Sequence, residues 1–112
     1  MDRVVKTRWV ERLRSGQDLQ GRGALWESGR LCCLGVLCET VRAEMHLRVN
    51  SVYNTDGELT REYGSEEQTM VLPIEVANYV GINREQQNRL IGMNDEEEVG
   101  FEEIADWVEE NL

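Results

Sequence analysis

The stretch Leu31–Cys38 (Leu-Cys-Cys-Leu-Gly-Val-Leu-Cys) sets the terms for everything else in this chain. It is the longest apolar run in a protein whose residues are 30% charged. Water does not tolerate eight such residues together, so amphipathic pieces on either side must cover them. At 112 residues the chain forms one domain with one hydrophobic core and needs neither metal nor disulfide to hold it.

Spacing assigns the run to a central helix over Arg30–Met45. Leu31, Leu34, Cys38, Val41 and Met45 recur at the helical period, which a strand would not produce. Ser28 or Gly29 supplies its N-cap. Gly35 in mid-helix costs about 1 kcal/mol against alanine, and close approach of the first or last helix at that point is the expected reason. Cys32, Cys33 and Cys38 are read as small core hydrophobes. Zinc, with His46 as a fourth ligand, is the competing reading. It lacks a Cys-x2-Cys pair, and adjacent cysteines suit a tetrahedral site poorly. A redox Cys-x-x-Cys is also missing. His46 is expected at a surface or hinge position.

Before the central helix, Val4–Arg14 makes an amphipathic helix with Val5, Trp9, Val10 and Leu13 inward and Gly16 as its left-handed cap. Gln17–Gly29 is a glycine-punctuated loop that lets Leu19, Leu25 and Trp26 fold onto the core. Its Gly21-Arg22-Gly23 fits neither a dinucleotide fingerprint nor a Walker loop. After the central helix, strands are expected at about 48–54 and 58–63. Asp56-Gly57 would be a two-residue turn setting Asn54 opposite Leu59 and Val52 opposite Arg61. A short third strand would cover 69–72. Pro73 then takes the first position of a short helix ending at Gly81. Asn83 and Gln86 form a capping box for another, which Gly92 closes with Leu90 and Ile91 buried. Asn94–Glu98 makes an acidic turn. Phe101–Leu112 is the clearest helix, with Phe101, Ile104, Ala105, Val108 and Leu112 in one stripe. The fold class is α+β: four or five short helices around the central one, with a small antiparallel hairpin on one side.

Charge is segregated along the chain. Residues 1–48 carry nine Lys/Arg against six Asp/Glu, whereas residues 49–112 carry three against sixteen. Asn94–Leu112 holds nine acids and no base. A field of that shape repels nucleic acid and attracts basic surfaces. The candidate partner surface is therefore Asp95, Glu96, Glu97, Glu98, Glu102, Glu103, Asp106, Trp107, Glu109 and Glu110. A calcium loop beginning at Asp95 is a poor fit, because Val99 falls on the fifth position and Asp106 on the twelfth. No paired carboxylates or triad can be argued, so no enzyme, cofactor or metal is expected. A second reading gathers Arg12, Arg14, Arg22 and Arg30 around the glycine loop to hold a small nucleotide-like anion. A dimer through Trp26 or Trp107 is open, as monomer is.

Several segments together resemble a group of small proteins encoded by tailed phages and prophages. They are Trp9-x3-Leu13-x-Ser15-Gly16, Gln20-Gly21-x-Gly23-x-Leu25, Cys32-Cys33-Leu34-Gly35-Val36-Leu37-Cys38, Leu72-Pro73, Leu90 with Met93-Asn94-Asp95, and Phe101-x2-Ile104-Ala105-Asp106. The resemblance brings no activity, ligand or site residue with it. It implies a setting, an accessory phage gene product in the host bacterial cytoplasm. That location fits the N-terminus, which shows no secretory h-region, and the lack of any apolar run of membrane-spanning length. The function expected is non-enzymatic: engagement of a host or defence protein through the acidic C-terminal surface, as an inhibitor or nucleic-acid mimic. The alternatives are sequestration of the anionic ligand and a role as a virion or assembly component.

Overall fold

The computed structural model describes all of residues 1–112 as one α+β domain. Helix α1 (Arg3–Ser15) leads into three two-residue strands, β1 (Leu19–Gln20), β2 (Trp26–Glu27) and β3 (Arg30–Leu31). Helix α2 (Cys33–Met45), the hairpin β4 (Val49–Tyr53) and β5 (Leu59–Tyr63), and helices α3 (Ile74–Val80) and α4 (Arg84–Ile91) follow. A π-helical turn over Gly92–Glu96 then precedes α5 (Phe101–Asn111). The strands join in one sheet, ordered β1-β3-β2-β5-β4, in which only the β1–β3 pair is parallel.

The apolar run is interior, as its composition demands. Cys33, Leu34, Val36, Leu37 and Cys38 are fully buried at the middle of a 25-residue core. Helix α1 covers it with Val5, Trp9, Val10 and Leu13 and packs against both α2 and α5. Helix α5 contributes Ile104, Ala105 and Val108. The Trp9 indole donates to Cys33 O at 3.0 Å, so this large side chain is buried without an orphaned N–H.

The central helix starts three residues later than its periodicity predicts. Arg30 and Leu31 are strand, and Ser28-Gly29 is the two-residue turn of a β2–β3 hairpin rather than a helix cap. Both turn residues have positive φ, 49° and 84°, as a hairpin turn of that length requires. Cys32 is the true N-cap, its Sγ accepting from Gly35 N at 3.4 Å. Gly35 is indeed a point of close approach, but the neighbour is not a helix. A Cβ there would lie 1.8 Å from the carbonyl oxygen of Leu25, so the glycine-rich segment's own backbone lies across α2.

Four smaller expectations are corrected. Leu19 is exposed, whereas Leu25 is fully buried and Trp26, half-buried, packs against the core as expected. Gln20 turns inward to bond Asn94, and strand alternation then sends Leu19 out. The β4–β5 register is one residue off the predicted one, with Tyr53 opposite Leu59 and Val52 opposite Thr60. Asn54 closes a three-residue loop instead, its Oδ1 accepting from both Asp56 N and Glu58 N at 2.9 Å. No third strand forms at 69–72; a single bridge joins Tyr63 to Gln68 just before that stretch. Pro73 is the N-cap of α3 rather than its first residue.

The Asn83–Gln86 capping box forms, yet Gly92 does not end α4. Gly92 keeps right-handed helical geometry and the chain continues into the π turn, closed by Glu97 N to Gly92 O at 3.0 Å. The wider turn sends two consecutive residues, Met93 and Asn94, into the interior, while Ile91 stays only half-buried.

Candidate functional site

The acidic side of the molecule is built by α5 and the turn before it. The stripe Ile104, Ala105 and Val108 fixes which way the helix faces and points Glu102, Glu103 and Glu110 to solvent. Arg14, from the last turn of α1, reaches across to Asp106 at 2.6 Å and Glu109 at 2.9 Å. Those two carboxylates, through their hydrogen bonds, raise the arginine's pKa. Arg89 holds Glu97. Asp95 turns back toward the protein, its Oδ1 accepting from Gly23 N at 3.0 Å and from Asn94 Nδ2 at 2.8 Å. Trp107 is half-buried against the core beside a depression shared with Glu85 and Arg89. Of the ten residues expected to form the surface, Glu96, Glu98, Glu102, Glu103 and Glu110 therefore face solvent without a basic partner.

Helix electrostatics separate these five. Glu102 and Glu103 occupy the first turn of α5, where carboxylates suit the dipole. Glu109 and Glu110 occupy the last turn, where they oppose it, and no basic residue lies there. Arg14 compensates Glu109 but not Glu110.

The four arginines of the anion-binding alternative do not converge. Arg12 is clamped by Asp18 through two bonds, at 2.8 and 3.1 Å, and that hydrogen bonding raises its pKa. Arg14 is taken up by Asp106 and Glu109 of α5. Arg30 reaches only the carbonyl of Gln20, at 3.5 Å, and Arg22 borders a separate depression with Glu27 and Met70. Two are already neutralised, so the quartet makes no joint anion site.

Cysteine chemistry is equally settled by packing. Cys32, Cys33 and Cys38 are free and buried, and burial pushes the thiol of Cys32 up to about 11 and those of Cys33 and Cys38 well above the usual range. Cys33 Sγ lies 3.8 Å from Leu90 O. His46 is far from this arrangement in role, an exposed left-handed cap at the other end of α2. No group of three or more His, Cys, Asp or Glu side chains is placed to hold a metal ion.

One cluster gathers segments that the sequence presents as unrelated. Asn94, wholly buried, accepts from Cys33 N at 3.2 Å and Gln20 Nε2 at 2.9 Å, and donates to Gly21 O at 2.8 Å. The Cys33 N–H is one of the unpaired donors at the start of α2, so Asn94 caps that helix from a distance. Gln20, Gly21, Cys33, Asn94 and Asp95 thus form one latch between the glycine loop, the central helix and the π turn.

A family described as a domain of unknown function, DUF8296, matches residues 1–112. The chain belongs to the DUF8296 family. No curated protein and no solved structure matches it. The DUF8296 match spans every element above, so latch, acidic helix and core lie within one family unit. No helix of this DUF8296 chain is long and apolar enough to cross a membrane.

Sequence reasoning missed two features of the DUF8296 fold. Glu39 on α2 accepts from Tyr63 Oη at 2.7 Å and pairs with Arg61 at 3.3 Å, whose guanidinium lies 4.2 Å from the Trp26 ring. This network seats the hairpin on α2, and no short-range spacing announces it. The second is a cleft of about 600 Å³ between residues 65–72 and helices α3 and α4.

Proposed function

We propose that this is a non-enzymatic accessory protein of a phage that engages a host or defence protein through its acidic C-terminal surface. The single observation that carries the reading is the position of Glu110. A carboxylate in the last turn of α5, without a basic neighbour, works against the helix that bears it. A local rule broken with no local gain marks a residue retained for something outside the fold. Glu96, Glu98, Glu102 and Glu103 extend the same negative side.

The partner is a protein with a basic surface, of the kind that handles nucleic acid. A fixed array of carboxylates can occupy such a surface and steer association at low salt. The pairing of Asp106 and Glu109 with Arg14 narrows the contact to the five free glutamates.

The test is affinity capture from bacterial lysate with the parent chain and a Glu102→Lys/Glu103→Lys/Glu110→Lys variant. A basic protein should be recovered by the parent and lost by the variant, with capture weakening as salt rises. Recovery undiminished by the triple reversal removes the proposal.

A further inference from the structure

Strand β4 is the outermost strand on one side of the sheet and is bonded only to β5. The ladder between them fixes which of its main-chain groups are used. Gly64 N donates to Arg48 O at 2.8 Å and Asn54 N to Glu58 O at 2.9 Å, so the even-numbered residues of β4 bond to β5. On β5 the odd-numbered residues turn the other way: Tyr63 exchanges bonds with Gln68, and Leu59 O accepts from Ser28 N at 2.8 Å. Val49, Ser51 and Tyr53 therefore carry N–H and C=O groups that point off the sheet, with no partner in the chain.

Exposed edges of sheets are normally guarded by lysine, by proline, by a bulge or by shortness. The other edge here, β1, is two residues long and is guarded by its length. Strand β4 has no such guard. Its five residues, Val-Asn-Ser-Val-Tyr, include no charge and no proline, in a chain that is 30% charged. Its register against β5 runs unbroken from Val49 to Tyr53, so no bulge twists the edge away. Tyr53 stands at its end with 75% of its surface exposed, more than any other large hydrophobic residue.

We infer that two copies of this chain associate through β4, strand against antiparallel strand, about a two-fold axis at Ser51. The strand's own sequence points to a second copy as the occupant. With Ser51 facing Ser51 across the axis, Val49 falls opposite the second copy's Tyr53, and Tyr53 opposite its Val49. These are the three residues with free main-chain groups, so a single register satisfies all of them. An aromatic facing a β-branched residue is a favourable cross-strand pair, and it gives the exposed Tyr53 ring a neighbour. Charge agrees with the same register. Arg48 and Asp56 flank opposite ends of β4 and form no salt bridge within the chain. Antiparallel pairing brings the Arg48 end of one copy beside the Asp56 end of the other. A closed two-fold contact uses up both β4 edges and leaves only the short β1 edges, so it stops at two chains. The paired strands supply five residues a side, against roughly 20–30 in a standard interface, so the association is weak and concentration-dependent. It does not rest on the function proposed for the acidic surface.

Sedimentation velocity on the full chain, from micromolar to millimolar concentration, reads the association directly. Monomer should give way to dimer, and hydrogen exchange at the amides of Val49, Ser51 and Tyr53 should slow over the same range. Ser51→Pro removes an outward N–H without touching the bonds to β5, and should weaken dimerisation at least tenfold. Ser51→Lys guards the edge and sets like charges face to face at the axis, with the same expected loss. Ser51→Glu alone should fail in the same way. An equimolar mixture of Ser51→Lys and Ser51→Glu should recover the dimer, which misfolded variants could not do. A chain that is monomeric at every concentration overturns the proposal, even where an added extended peptide slows exchange along β4. So does a dimer that all three variants retain, or one whose protected amides lie around Trp26 or Trp107. A mixture no more associated than either variant alone overturns it as well.

Discussion

Asn94 and Glu110 show opposite relations between a residue and its fold. Asn94 uses both ends of its amide on this chain's own groups, so its removal strands the N–H of Cys33 and the C=O of Gly21. Asn94→Ala should lower the unfolding free energy by about 3 kcal/mol, given about 1–3 kcal/mol for each buried group left unpaired. Asn94→Asp, nearly identical in shape, should be worse at neutral pH, because the new carboxylate faces Gly21 O and the Asp95 carboxylate. That deficit should shrink as acidification protonates it, and urea titrations at pH 7 and pH 5 compare the two. Glu110→Lys should act in the other direction, raising stability by about 0.3–1 kcal/mol through the helix dipole, while weakening capture of a basic partner. A lysine variant that is both less stable and equally competent in capture would contradict the role given to this position.

At the level of elements, what periodicity governs was legible and what distant partners govern was not. Helices α1 and α5 declare their faces through Val5, Trp9 and Leu13 and through Ile104, Ala105 and Val108, because one stripe suffices to orient a helix. The start of α2 was misplaced because Arg30 and Leu31 are claimed by β2, a pairing that no helical window can register. The hairpin register slipped because Asn54, through its side chain, converts the Asp56-Gly57 signal into a three-residue loop. The acidic half of the candidate site was readable as composition, yet which acids are free depended on Arg14 and Arg89 arriving from elsewhere. The cleft left no trace at all, since its walls come from three separate elements. Gly35 tests this level directly. Gly35→Ala would drive a methyl into the Leu25 carbonyl, which is backbone and cannot step aside. The loss should reach or exceed the ~3 kcal/mol upper end of ordinary overpacking, read as a lower urea midpoint.

For the molecule as a whole, the buried thiols set a limit on the alkaline side. Burial raises the Cys32 pKa from an ordinary 9.0 to about 11, and shifts Cys33 and Cys38 the same way. The folded state then keeps protons that the unfolded chain releases. The stabilisation is complete below about pH 9 and is lost as pH climbs through the folded-state values. Thermal midpoints should therefore hold between pH 7 and pH 8.5 and fall by pH 10.5, and iodoacetamide should label the native protein at pH 8 far more slowly than the urea-unfolded chain. Rapid native labelling at pH 8 would show that the thiols are reachable after all.

The contact between α1 and α5 has a further consequence for how the chain is made. Arg14 and Glu109 stand 95 positions apart in sequence, so at about 5–20 residues per second the ribosome delivers the second roughly 5–20 s after the first. For that interval the Val5–Trp9–Leu13 stripe lacks the cover that α5 gives it in the finished fold. The newborn polypeptide is at its stickiest before its final helix emerges.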